Sequence, residues 1–235
     1  PGFFQKLTRA TRIYDSGAPE LLRTHPVTTD RIADALSRAE RYGHQQRPDN
    51  LRFQLTRANL RQRNYSRAEQ AVDRFEETLK KGRYRDETAE RYGYALALSR
   101  AGRQQDASEQ VQLLLERHPS QVEFIVLYAE ILIRGGRADV AVNDLKGPVG
   151  LSPGNWPLHQ TYAEALMAAG KPAAALESLE NFVSLRPGIP QIYRLMADAA
   201  GKSGKRTETL RWRAEALYYD GDIEPAIQQL ELALR

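Results

Sequence analysis

Small and large apolar residues return along this chain at a fixed step. Gly102, Gly136, Gly170 and Gly204 stand 34 residues apart, and Ala95, Ala129, Ala163 and Ala197 keep the same step seven residues ahead of them. Ala107, Ala141 and Ala175, with Thr209 in the fourth copy, follow each glycine by five residues, and Pro119, Pro153 and Pro187 also repeat at 34. Self-similarity at such a period marks a stack of supersecondary units. Tyr94, Tyr128 and Tyr162 stand just before the small residue, and Leu98, Leu132 and Leu166 lie three after it. Large side chains therefore fall at i and i+4 on one helix face, with alanine between them to let another helix approach. Glycine then supplies the left-handed conformation that ends the first helix. The second helix runs through Val111 and Leu114, Leu145, or Leu179 and Val183, with the alanine placed where two helices cross. Proline closes each unit by denying the helix its next N–H. The pattern predicts repeated helix–turn–helix pairs.

The ends of the chain depart from this register. An earlier, irregular copy spans about 49–87, with Leu55, Tyr65, Ala68, Val72 and Phe75 in matching places. Ala68 lies 39 before Ala107, so five extra residues sit around Lys80–Arg85. Near the other end, Ala214, Leu217, Gly221, Ala226, Leu230 and Ala233 fit a repeat offset by half a period. A helix from about Thr207 to Tyr219 must then serve two units, and Glu224-Pro225 suits the first turn of a closing helix that ends at Arg235. Residues 1–45 do not follow the repeat. They read as a short apolar helix (Phe3, Phe4, Leu7), a polar loop, and a second helix from about Thr29 with Ile32, Ala35, Leu36 and Ala39 on one face. Thr28 or Thr29 is its natural N-cap.

The 34-residue columns resemble the tetratricopeptide repeat, over about 49–87, 88–121, 122–155, 156–189 and 190–223, with 224–235 as closing helix. The resemblance implies an all-α fold whose helix pairs form a superhelix, its concave groove lined by the first helices and suited to extended or helical peptides. Carried over by position, the groove-facing residues are Tyr92, Leu96 and Ser99; Glu123, Val126, Glu130 and Ile133; Gln160, Glu164 and Met167; and Gln191, Arg194 and Asp198. The Lys/Asn set with which co-chaperone repeats clamp a C-terminal carboxylate is absent. Glu130, Glu164 and Asp198 lead us to expect a basic or amphipathic segment as ligand.

A second resemblance lies in residues 1–45. Phe3-Phe4-x-x-Leu7, then Leu22-x-Thr24-His25-Pro26, then Arg31-Ile32 look like the end of the catalytic domain of the HExxH zinc metallopeptidases. One periplasmic branch of that family places this domain directly before tetratricopeptide repeats and tends outer-membrane β-barrel assembly. The resemblance implies a division into a peptidase remnant, 1–45, and a repeat array, 46–235. It places His25 on the side of the metal where oxyanion charge develops, with Arg31 orienting it. The chain has no HExxH, and His25, His44, His118 and His159 are too scattered to assemble three ligands locally. By this reading the zinc ligands lie upstream of Pro1, this chain is itself no enzyme and carries no cofactor, and the parent protein is a zinc metalloendopeptidase. The expected function is docking of protein or peptide clients, outer-membrane β-barrel proteins and their assembly machinery among them, for that periplasmic protease and chaperone. The alternative is a free-standing tetratricopeptide scaffold or co-chaperone, with 1–45 as an N-terminal cap.

Composition narrows the field further. The 235 residues are 41% hydrophobic and contain no cysteine, which excludes disulfides, thiolate metal sites and a cysteine nucleophile. No run approaches the roughly 18 apolar residues of a membrane span, and no basic segment followed by an apolar one marks a signal peptide. The start at Pro1-Gly2-Phe3-Phe4 reads as a cut from something longer. The net charge of +4 is uneven, +7 over residues 1–100 and −3 over the rest. The arginines between Arg31 and Arg91 are dispersed at helical spacings. That favours a solvated face over the clustered stripe that binds nucleic acid, whose affinity would fall steeply with salt. His118 precedes a closing proline at a helix C-terminus, where positive charge suits the dipole. His44 and His159 read as surface or groove residues, and Trp156 and Trp212 as packing. Gly135-Gly136 is a turn, without the Lys-Ser/Thr of a phosphate loop.

Overall fold

The computed structural model describes Asn50–Leu234 together with Ala33, Asp34, Ser37 and Arg38. The chain divides into two compact units, Pro1–Asp49 and Asn50–Arg235. The four described residues of the first are helical, and Arg38 Nε donates to Asp34 at 3.1 Å. The motifs around Phe3, His25 and Arg31, like the apolar face expected from Ile32 to Ala39, lie outside the described residues.

The described residues of the second unit form helices joined by turns. The helices are α1 (Leu51–Arg63), α2 (Ala68–Lys80), α3 (Glu87–Arg100), α4 (Gln104–Arg117), α5 (Val122–Arg134), α6 (Ala138–Leu151), α7 (Trp156–Ala168), α8 (Pro172–Leu185), α9 (Pro190–Lys202), α10 (Arg206–Asp220) and α11 (Ile223–Ala233). From α2 onward each helix packs on the next. The odd helices from α1 to α9 also touch one another in order, so they form one continuous wall. The all-α helix–turn–helix array expected from the 34-residue step is the fold observed.

Each repeated column has a single physical job. Gly102, Gly136, Gly170 and Gly204 have φ between +73° and +79°, a conformation costly for any side chain with a Cβ. The same pair of hydrogen bonds closes each helix: in the first copy Gly102 N–H donates to Ser99 O at 3.2 Å and Arg103 N–H to Leu98 O at 3.0 Å. The pair satisfies carbonyls that the helix end leaves open. Ala95, Ala129, Ala163, Ala107, Ala141 and Ala175 are all essentially inaccessible, which lets the helices approach closely. Side chains at the N-termini complete the pattern, with Asn50, Asp86 and Asn155 accepting from the N–H groups of Phe53, Ala89 and Leu158.

The apolar interior runs the length of the unit. One cluster gathers Leu55, Phe75, Leu98, Val111, Leu114, Phe124 and Ile131; the other gathers Leu132, Leu145, Leu158, Leu179, Phe182 and Met196. Tyr128 packs against both. One local feature falls outside the periodic reading. Pro148 sits inside α6, in its last turn, where the missing N–H leaves a carbonyl of the preceding turn without its helical partner. At the far end α10 packs on both α9 and α11, as its double role requires. The closing helix buries Ala226 alone and leaves Ile223, Ile227, Leu230 and Leu232 exposed.

Candidate functional site

The wall of odd helices encloses a hollow of about 920 Å³, bounded by α1, α3, α5 and the start of α7. The first helix supplies Arg52, Thr56, Asn59, Gln62 and Arg63, at spacings that place them on one face. From α3 come Tyr92, Leu96 and Arg100; from α5 come Val122, Glu123, Val126, Leu127, Glu130 and Arg134. The turn before α7 adds Gly154, Asn155, Trp156 and Pro157, and Arg186 reaches over from the end of α8.

Hydrogen bonds hold this lining in place. Arg100 Nη1 donates to the Gln62 carbonyl at 2.7 Å and its Nη2 to the Tyr65 carbonyl at 2.7 Å, fastening α3 to the end of α1. Arg186 Nη1 donates to the Gly154 carbonyl at 2.6 Å, fixing the turn that presents Trp156. Arg134 donates to Ser99 Oγ at 2.9 Å and lies 3.6 Å from Glu130, while Arg52 lies 3.6 Å from Glu123. Burial pushes the Glu130 carboxyl above the usual range; the nearby Arg134 and Arg63 charges pull it back and Glu164 adds to the rise. Tyr92 is buried beside Glu130 and Glu123, and burial together with those carboxylates raises its hydroxyl above its usual value.

The sequence-expected residues divide cleanly. Tyr92, Leu96, Val126, Glu130 and Glu123 come together in the hollow. Ser99 is buried and outside the lining, and its Oγ accepts from Arg134. Ile133 and Met167 pack against the core. Gln160 Nε2 donates to Glu164 at 2.9 Å on α7, outside the lining. Arg194 is ion-paired with Asp220, and Gln191 and Asp198 are exposed on α9, away from the hollow. His25 and Arg31 lie outside the described residues.

Three expectations need correction. His159 is no surface or groove residue: it is 7% exposed and lies 4.7 Å from the Phe182 ring. Trp156 is not simply packing, since it is 39% exposed and borders the hollow. Trp212 does pack, buried in the interior against Tyr193. The expected acidic bias is also reversed, because five arginines in the lining face two glutamates. All five are absent from the carried-over positions: two lie on α1 and three at the ends of α3, α5 and α8. The insertion around Lys80–Arg85 breaks the register onto α1, but the 4, 3, 4 spacing of Arg52, Thr56, Asn59 and Arg63 is itself a helical stripe in the sequence.

Among the described residues no group of three or more histidines, aspartates or glutamates could hold a metal ion. Zinc therefore has no fitting donor set in Asn50–Leu234. No helix of the described residues is long and apolar enough to cross a membrane.

Comparison with known proteins follows the same lines. Residues 20–219 match the tetratricopeptide repeat family. The chain is 33% identical over 147 residues to the β-barrel assembly-enhancing protease of Escherichia coli (strain K12) and 27% identical over 146 residues to that of Yersinia pestis. Each alignment covers 62% of this chain and only 30% of the relative, so the chain matches less than a third of those proteins. Among solved structures, the thermophilic repeat protein TTC0263 of Thermus thermophilus superposes with a TM-score of 0.57 at 21% identity, covering 77% of this chain and 97% of that one. MamA of MSR-1 superposes at 0.52 with 18% identity, covering 72% and 92%. With its columns, its helix order and this family match in agreement, the chain belongs to the tetratricopeptide-repeat family.

Proposed function

We propose that this chain docks protein segments in the hollow between α1, α3, α5 and α7, on behalf of a zinc-dependent periplasmic peptidase and chaperone of outer-membrane β-barrel assembly. Tetratricopeptide arrays are protein-interaction modules, and the hollow is a concave surface of the size and mixed polarity that a peptide segment fits. The observation that carries the finer reading is the 33% identity with the β-barrel assembly-enhancing protease. In this reading residues 1–45 are the tail of the peptidase domain, and 46–235 are the docking array. Tyr92, Leu96, Val126 and Glu130 meet the client, and Ser99 holds Arg134 in position beside them. Ile133, Gln160, Glu164, Met167, Arg194 and Asp198 belong to the same wall, beyond the hollow, where a longer client would extend. Holding a client next to a tethered active site raises its effective concentration there without any chemistry in the array. His25 and Arg31 belong to the peptidase side of that arrangement.

The gene upstream of Pro1 tests the assignment first. An HExxH helix followed by a glutamate ligand is expected there, and an unrelated domain in that place overturns the peptidase link. The protein expressed from that gene should then cleave an unfolded protein substrate in a chelator-sensitive way. Thr56→Trp, which fills the hollow from an exposed position, should slow that cleavage several-fold while leaving a short chromogenic peptide unaffected. Equal rates on the protein substrate with and without the tryptophan would remove the hollow from the function.

A further inference from the structure

Resting on the docking reading of the hollow, we infer that its ligand is an acidic segment: an extended stretch in which aspartate or glutamate flanks an apolar side chain. The inference comes from the balance of charge in the lining. Arg52 and Arg134 are offset by Glu123 and Glu130 at 3.6 Å each. Three cations then remain. Arg100 and Arg186 spend their hydrogen bonds on carbonyl oxygens of Gln62, Tyr65 and Gly154, which orient the guanidinium groups without neutralising them. Arg63, exposed at the end of α1, has no ion-pair partner among the described residues. Glu164 acts on Glu130 from outside the lining and removes at most one unit of this excess.

Arginine suits such a site better than lysine. Its planar fork bonds a carboxylate through two parallel N–H groups and keeps donors free after anchoring to a carbonyl. Arg100 and Arg186 are held in fixed orientations before any ligand arrives, so little side-chain freedom is lost on binding. Leu96, Val126 and the exposed Trp156 supply apolar surface between the cations. A basic segment would meet at least two uncompensated positive charges in a concavity, where like-charge juxtaposition is costly.

The test uses the whole chain and three fluorescein-labelled peptides of about twelve residues. They share their leucine and phenylalanine positions and carry glutamate, glutamine or lysine at the rest. Binding is read by fluorescence anisotropy at low and moderate salt. The glutamate peptide should bind at least tenfold tighter than the glutamine peptide, the lysine peptide weakest, with the glutamate preference shrinking as salt rises. Arg63→Glu should collapse the glutamate preference toward one, whereas Arg213→Glu, exposed on α10 and outside the hollow, should leave it intact. Equal binding of all three peptides, abolished by Thr56→Trp, overturns the acidic ligand while leaving docking in the hollow. A lysine peptide that binds best overturns it too. Absence of any binding overturns the inference and counts against the docking reading as well.

Discussion

Arg61 and Glu90 join α1 to α3 through two parallel hydrogen bonds, Nη1 to Oε2 at 2.6 Å and Nη2 to Oε1 at 3.1 Å. The carboxylate is almost fully buried, and Thr78 Oγ1 donates to it from α2. The guanidinium carbon also stands 4.7 Å from the centre of the Phe75 ring. Both helices of the irregular first copy and the first helix of the next thus converge on one carboxylate. A buried charge left without its partner is expensive, but water reaches the arginine side here and discounts the cost of a fully enclosed pair. Arg61→Ala should lower stability by about 1–3 kcal/mol in urea unfolding. Arg61→Lys should recover only part, having one point of charge instead of a fork. A loss no larger than roughly 0.5 kcal/mol, the range of ordinary surface changes, would contradict this role.

Gly93 lies under the Phe75 ring. A methyl group there would stand 2.3 Å from Phe75 Cε1 and 2.6 Å from Cζ. Alanine is worth about 1 kcal/mol over glycine inside a helix, whereas overpacking a tight core costs about 1–3 kcal/mol. Phe75 is completely buried, so its ring has nowhere to move and the second effect wins. Gly93→Ala should be destabilising. In the background of Phe75→Leu, which vacates the space, the same change should turn neutral or stabilising. A stabilising Gly93→Ala in the parent chain would show that the ring yields.

His159 makes the array sensitive to acid. Its ring is buried against Phe182, and neither ring nitrogen has a hydrogen-bond partner among the described residues. Burial therefore holds its pKa below the usual histidine value. The folded state prefers the neutral ring, so the unfolded chain binds the proton more readily. Stability from this residue is fully present above its unfolded value near 6.5 and is lost as pH falls through the lower folded value. The melting temperature should drop between about pH 7.5 and about pH 5, and His159→Leu should reduce that drop. An unchanged pH profile in the leucine variant would assign the sensitivity elsewhere.

The closing helix should be the least protected. Only Ala226 of α11 is buried, whereas α9 buries Ile192, Tyr193, Met196, Ala197, Ala199 and Ala200. In a stacked array each helix draws stability from its neighbours' contacts. Amides of α11 should exchange with solvent well before those of α9. Equal protection of the two would mean that the exposed stripe from Ile223 to Leu234 is covered in solution.

The fold was legible wherever a position admits few residue types. A left-handed turn calls for glycine and a close helix crossing for alanine, so the columns at 102, 136, 170 and 204 and at 107, 141 and 175 declare the architecture. Part of the hollow on α3 and α5 was legible for the same reason, since Tyr92, Leu96, Glu123, Val126 and Glu130 keep the register. The bond from Arg134 to Ser99 could not be read from the repeat, because the two residues are 35 apart in sequence. His159 was readable in principle. It shares a 34-residue column with Ile125 and Tyr193, both packed in the core, and that column outweighs the polarity of an isolated imidazole. The charge of the hollow was not readable from the repeat. It comes from helix ends and from α1, where the insertion erases the register.

Docking in the hollow is tested most directly by a photo-crosslinking amino acid placed at Val126 on its floor and, as a control, at Val140, which is exposed on α6 outside the lining. Irradiation in living cells expressing the protein should yield adducts with protein partners from position 126 and none from position 140. Adducts from position 140 alone, or equally from both, would contradict the account.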